Sequence, residues 1–280
     1  MLELKAYRKY NGEKKIAIMD NSFLSFLEKL GKQGFQTDVF LQDYDLILIP
    51  DWVLEEVKDS PFRRDFVQNL INSGFPVFSV SELDYTDFVY QEELNLYEIV
   101  LASVRCIFDI QKYLQKNVKT KDPLDMEPYR KWVADLSANW PLQGKITSSG
   151  RAKKKDAGKI SITILAEIFS WYYPDIESIT IQSSDMDAYD FVEKANEGLR
   201  KYFSKRIPVP IAFKSEDSLL CQMLRSGMLK TEDLAVLRPN PRYLQYMKIQ
   251  SDGAVAAVNK RVDNGEFLSM VRDLSIHIVF

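Results

Sequence analysis

Histidine and cysteine are almost absent. The 280 residues hold one histidine, His277, close to the C-terminus, and two cysteines, Cys106 and Cys221, each alone in an apolar stretch. A structural zinc site of the Cys/His kind needs four such ligands, and a disulfide framework needs a spaced, even set of cysteines. Neither is possible here. A Ser-His-Asp or Cys-His hydrolase would have to run through His277. Long apolar runs are missing too. None approaches 18 residues, so no membrane span is expected. The opening MLELKAYRKYNGEKK is polar and charged, unlike a signal peptide. The expected location is the cytoplasm, with both thiols reduced and buried. Gly-x-Gly-x-x-Gly and Gly-x-x-x-x-Gly-Lys-Ser/Thr are absent, which removes support for dinucleotide and P-loop readings. An excess of charge of one sign is also lacking. With 37 basic and 40 acidic residues and a net charge of -3, this is not a chain that coats nucleic acid over its whole surface. Any such contact must be a local patch.

Ordinary globular material is present: 46% hydrophobic and 12% aromatic residues. The length allows two units or one domain with insertions. Short apolar runs bounded by charge or turn residues read as buried strands. They are Lys15–Met19, Asp45–Ile49, Phe75–Val80, Glu177–Ile181 and Pro208–Phe213. Helical spacing follows most of them: Phe23, Phe26, Leu27 and Leu30; Asp51 to Val57 behind Pro50; Phe62 to Ser73; Ala188 to Phe203; Ser215 to Arg225. The segment from Tyr85 to Pro141 reads as helical and aromatic-rich, with a stripe of Leu94, Tyr97, Val100, Leu101, Val104 and Phe108. A second helix is expected near Tyr129 to Leu136, and Asp156 to Tyr172 is the clearest helix of the second half. Asn139 to Lys155 reads as an exposed loop. Helices are expected around Ala254 to Val262 and Glu266 to Val271. Alternating strands and helices argue α/β with a mainly parallel sheet. Ligands in such sheets sit at the carboxyl ends of the strands.

Acids stand at those ends or in the first turns of helices: Asp20, Glu56, Asp156 and Asp185, with Asp187 two residues on. Taken singly, an Asp before a helix is most often just an N-cap, and Glu56 on a helix is most often solvated. As an ordered set they resemble a known family. IAIMDNS, LILIPDWVLEEV (with Pro50, Val53 and Glu56), KKDAGKISITILAEI, ITIQSSDMDAYDF and FKSEDSLLCQMLRSGMLK resemble, in this order, the motifs of the PIN domain. The resemblance covers about residues 15–60 and 150–230.

That resemblance implies a PIN-like three-layer α/β/α domain over residues 1–232, with 61–149 a largely helical insertion and 233–280 a C-terminal extension. It implies a metal-dependent endonuclease, with RNA the expected substrate. Asp20, Glu56, Asp156 and Asp185 would be catalytic and would bind Mg²⁺ or Mn²⁺, with Asp187 a fifth acid. Ser22 and Ser184 would orient ligands or water. The chemistry is consistent, because hard divalent cations take oxygen ligands. Clustered carboxylates need a cation to offset their repulsion. One departure matters. Many members carry Gly-Glu where this chain has Gly158-Lys159, which weakens the case for catalysis and raises a rival, a degenerate PIN-fold binding or assembly module. A small-molecule phosphohydrolase on an unrelated α/β fold is a third reading.

Lys145 to Lys159 holds six basic residues (Lys145, Arg151, Lys153, Lys154, Lys155 and Lys159) and one acid. The plain reading is a solvated loop. The functional one is a phosphate clamp, with Arg151, Lys153, Lys154, Lys155 and Lys159 meeting the backbone of nucleic acid. A second copy of the chain and an antitoxin-like protein are further expected partners, as for a toxin–antitoxin or defence component.

Overall fold

Five short strands rich in aliphatic residues form one parallel sheet in the computed structural model, which describes residues 2–118, 126–146, 150, 152–250 and 252–280. They are β1 (Lys15–Met19), β2 (Leu46–Pro50), β3 (Val77–Val80), β6 (Ser178–Gln182) and β7 (Ile211–Lys214), in the order β3-β2-β1-β6-β7. Every ladder among them is parallel. The runs IAIM and LILIP are buried without alternation. That is the mark of strands covered on both faces, so their side chains form the centre of the core.

The chain steps one way from β1 to β3 and the other way from β6 to β7. Right-handed crossovers then divide the helices between the two faces. One face carries α1 (Asn21–Lys32) and α3 (Pro61–Asn72). The other carries α8 (Ala157–Tyr172) and α9 (Asp187–Tyr202); α8 lies across β1, β2 and β6. The result is an α/β fold in three layers. Between β1 and β6 the direction in which the strand order grows reverses, which makes their carboxyl ends the switch point of the sheet. Ligands of such sheets collect in a crevice at the switch point. The short α2 (Asp51–Val57) packs on both α1 and α8 above this end.

Between β3 and α8 lies the helical segment, with α4 (Tyr85–Phe88), α5 (Glu93–Ser103), α6 (Phe108–Asn117) and α7 (Tyr129–Ala138). The expected stripe is partly right. Tyr97, Val100 and Val104 are buried, but Phe108 is 72% exposed and Leu94 42%. Leu96 and Ile99 are buried as well, because α5 is wedged among α7, α8 and α9. A helix enclosed on several sides has no single apolar stripe.

Three expectations need correction. Asn139 to Lys155 is not simply a loop; it contains a hairpin, β4 (Gln143–Ile146) against β5 (Ala152–Lys154). Gly144 permits its closeness, since a Cβ there would stand 3.0 Å from the Lys153 carbonyl oxygen. The fifth central strand begins only at Ile211, because Pro208 and Pro210 have no N–H for a ladder. Ala254 to Val262 is a strand, not a helix. It is β9 (Val255–Val262), paired antiparallel over its whole length with β8 (Arg242–Ile249), and β10 (Ile276–Ile278) pairs with the other side of β8. The ladder and the burial of Leu244 and Val262 override the three- and four-residue spacing of Val255, Val258 and Val262. The other expected helix is present as α12 (Asn264–Arg272).

This C-terminal sheet is fastened to α10 (Glu216–Arg225) by a buried arginine. Arg238 Nε stands 3.2 Å from Asp217 Oδ2, and its other nitrogens donate to the Val262 carbonyl (2.9 Å) and Asn264 Oδ1 (3.0 Å). Arg242 adds contacts to Glu216 and Asp217. A short helix, α11 (Leu234–Leu237), leads into it. Cys221 is buried and Cys106 only partly so. Among the described residues no helix is long and apolar enough to cross a membrane.

Candidate functional site

The site starts with Asp20, where β1 ends and α1 begins. Its extended backbone makes it the N-cap of α1, and its Oδ1 accepts from the Asn21 N–H at 2.8 Å. A cap explains one oxygen only. The other, Oδ2, accepts from the hydroxyls of Ser22 and Ser183, the latter at 3.0 Å. Ser22 Oγ in turn accepts from the Ser184 N–H at 3.1 Å, and Ser183 Oγ from the Asp185 N–H at 3.1 Å. The β1 and β6 ends are thereby laced together around one carboxylate. Burial pushes the Asp20 carboxyl above its ordinary range. The two hydroxyls pull it back, and the nearby charge of Asp185 adds to the rise.

Glu56 reaches the same place from α2. Asn21 Nδ2 donates to its Oε2 at 3.3 Å, and Lys153 Nζ stands 3.4 Å from the same oxygen. Its carboxyl is raised by burial, lowered by Lys153 and raised again by the charge of Asp20. The charge of Asp20 thus reaches Glu56. Gly158 lets α2 come this close to α8. A Cβ there would stand 3.3 Å from Val53 Cγ2 and 3.9 Å from Glu56 Oε1.

Asp156 precedes α8 in the left-handed region (φ 59°) and makes no capping hydrogen bond. Its side chain faces Lys159 instead, at 3.8 Å. The same ammonium lies 3.2 Å from Asp185 Oδ2 and 3.3 Å from Asp187 Oδ2. Burial alone would lower the Lys159 pKa, but Asp185 and Asp187 outweigh it and hold the lysine charged.

The five expected acids thus fall into two linked groups. Asp20 and Glu56 form one, and Asp156 and Asp187 the other, with Asp185 between them through its field on Asp20 and its ion pair with Lys159. Ser22 donates to Asp20, whereas among the described residues the Ser184 hydroxyl is buried without a partner. Of the expected phosphate-binding lysines, Lys153 leans on Glu56 and, at 4.0 Å, on Asp59. Lys154 donates to Ser137 and lies over Trp52, and Lys155 is exposed. Arg151 lies outside the described residues. Asn21 and Ser183 were not anticipated. Both are neighbours of predicted residues, in the triplets DNS and SSD, and only the β1–β6 ladder makes them converge.

Among the described residues no three acids, histidines or cysteines stand in ready-made metal-ligating geometry. The donor chemistry nevertheless suits Mg²⁺ or Mn²⁺. Every acceptor is a hard oxygen, and among the described residues Asn21 Oδ1 and Ser184 Oγ are buried without partners. Buried polar atoms without partners call for a water or an ion. A cavity of about 280 Å³, lined by Trp52, Glu55, Glu56, Lys153 and Lys154, opens beside Glu56.

No family model, curated protein or solved structure matches the chain.

Proposed function

We propose that the crevice between β1 and β6 is the site of a metal-dependent endonuclease acting on RNA, as the PIN-like motifs imply. The observation that carries this reading is the lacing of Asp20 to Ser22 and Ser183 with Glu56 and Asp185 beside it, at the switch point of a parallel sheet. Asp20, Glu56 and Asp185 would hold the divalent cation, with Asn21 Oδ1 and Ser184 Oγ as neutral oxygen donors. When bound, the cation supplies a water of lowered pKa and neutralises charge at the phosphate under attack. Ser22 and Ser183 fix the rotamer of Asp20, so its oxygen need not reorganise. Asn21 steers Glu56. Lys155, free of ion pairs among the described residues, and Lys153, at the rim, would meet substrate phosphates without reading bases.

A second reading is favoured by Lys159. With three acids paired to one lysine, the chain would serve as a binding module that has lost cleavage. The two readings part in one experiment. A single-stranded RNA labelled at its 5′ end is incubated with the protein and Mn²⁺, with Asp20→Asn as control. Cleavage by the wild type alone supports the nuclease. Retention of RNA without cleavage supports the module.

A further inference from the structure

Three acids of the site share one ammonium. Lys159 Nζ is within 3.8 Å of Asp156, 3.2 Å of Asp185 and 3.3 Å of Asp187, and its side chain is 16% exposed. The lysine is largely covered, whereas Asp185 and Asp187 are 49% and 73% exposed, so the acids reach in from the surface to one sheltered ammonium. Asp156 precedes α8, and Asp185 and Asp187 stand where β6 passes into α9, so the acids come from two separate segments; the lysine sits in the first turn of α8, where the helix field disfavours a cation. An ammonium has three donors, and here three carboxylates surround it. Asp185 is the critical partner, because its N–H donates to Ser183 Oγ, whose hydroxyl in turn donates to Asp20. One residue therefore joins the Lys159 group to the buried carboxylate.

We infer that Lys159 is an internal counter-cation that holds the site closed to metal, and that a divalent cation must displace its ammonium from Asp185 to bind. This inference rests on the metal-site reading above. Its physical ground is competition for the same oxygens. Without a cation, Asp156, Asp185 and Asp187 would repel one another, and Lys159 removes that repulsion. A metal gains Asp185 only by breaking this arrangement, so its apparent affinity is lowered by the lysine. Release of Lys159 also frees an ammonium at the mouth of the crevice, where a substrate phosphate arrives. The alternative is that Lys159 merely neutralises surface acids and leaves metal binding unaffected.

The test compares four full-length proteins in thermal melts across a MnCl₂ series: wild type, Lys159→Gln, Lys159→Arg and Lys155→Gln. Circular dichroism checks that each is folded. The readout is the Mn²⁺ dissociation constant fitted to the gain over each variant's own metal-free melt, since that gain grows as RT ln(1 + [Mn²⁺]/Kd). Lys159→Gln should shift it about tenfold lower, the order expected when one opposing charge is removed beside a carboxylate. Lys159→Arg and the nearby Lys155→Gln should stay within about twofold of wild type. Acetylation of Lys159, followed by mass spectrometry, should be slow without metal and faster with Mn²⁺. Equal fitted constants for wild type and Lys159→Gln would overturn the inference and leave the metal site standing. Folded proteins that show no response to Mn²⁺, Lys159→Gln included, would overturn the metal site and the inference together.

Discussion

The hydroxyl of Ser183 donates to the carboxylate of Asp20 at 3.0 Å, across 163 residues of chain. Two parallel neighbouring strands end there, and each contributes one partner. The bond can form only when the β1–β6 ladder is in register, with Met19 opposite Gln182. It ties the assembly of the site to the centre of the sheet.

Asp20→Asn tests the carboxylate itself. The charge of Asp20 is opposed by burial and by Asp185. Its removal should therefore leave the metal-free protein within about 1 kcal/mol of wild-type stability, since an amide oxygen can still accept from Ser22 or Ser183. The stabilisation by Mn²⁺ should be lost, because a ligand stabilises only through the state that binds it. Thermal melts with and without Mn²⁺ decide the matter. A variant that gains as much as wild type would remove Asp20 from the ligand set.

Two buried glutamates away from the crevice set a pH dependence. Glu82 accepts from the Trp52 N–H at 3.0 Å and from Ser161, and Glu167 accepts from Trp171 Nε1 at 2.9 Å. Burial pushes both carboxyls up to about 8, from an ordinary 4.5. Between those values the folded state holds more protons than the unfolded chain, so stability falls as pH rises through the window. Each group contributes a slope of up to about 1.4 kcal/mol per pH unit. Glu82→Gln and Glu167→Gln should therefore become more stable relative to wild type as pH rises, with little difference near pH 4.5 or below. Urea titrations on the acid and alkaline sides of neutrality measure this. A pH-independent difference would mean that neither glutamate is protonated in the fold.

Arg238 is predicted to hold the C-terminal sheet in place. It is completely buried, and Asp217 beside it is 4% exposed. Arg238→Met leaves Asp217 with Arg242 alone and leaves the Val262 carbonyl without its arginine donor. Breaking a buried pair on one side costs about 3–5 kcal/mol; the remaining contact to Arg242, at 2.8 Å, argues for the lower end. Arg238→Met/Asp217→Leu should recover part of the loss, because the uncompensated charge goes with it. Chemical denaturation of both variants gives the comparison. A loss below about 0.5 kcal/mol for Arg238→Met would show that the extension docks without this pair.

The central sheet was legible because its strands are short, continuous apolar runs ending in Asp, Pro or Ser. Burial on both faces writes that pattern directly into the sequence. The convergence of Asp20 with Asp185 was legible for the same reason, since both follow such runs. The hairpin of β4 and β5 was hidden, because QGKI and AKK have neither alternation nor β-branched density and are held mainly by pairing. The strand β9 was misread, because VAAVNKRV carries alanines and a helical spacing of valines while its partner strand fixes its conformation. The pairing of Lys159 with three acids was beyond the sequence. It depends on where two helices and a left-handed turn point their side chains, and no local pattern encodes that.

The lysines before α8 should not act as a uniform clamp. Lys153 Nζ stands 3.4 Å from Glu56, Lys154 is engaged with Ser137 and Trp52, and Lys155 is exposed. If the strip meets RNA, Lys155→Ala should weaken binding across sequences alike, with no change in thermal stability. It should also flatten the slope of log affinity against log salt by about 0.7, the value for one phosphate contact on a single strand. Lys154→Ala should instead lower stability by about 1 kcal/mol, through lost packing on Trp52 and a lost hydrogen bond. Lys153→Ala should act on the site. Without its lysine, Glu56 loses the charge that lowers its pKa, so the carboxyl rises; a cation competing for the same oxygen is also gone, so metal binding at neutral pH and above should tighten. Fluorescence anisotropy with a labelled single strand, run across a salt series, reads the first, and thermal melts with and without Mn²⁺ read the other two. An unchanged affinity and salt slope for Lys155→Ala would place the path of the nucleic acid elsewhere, starting with the cavity beside Trp52 and Glu56.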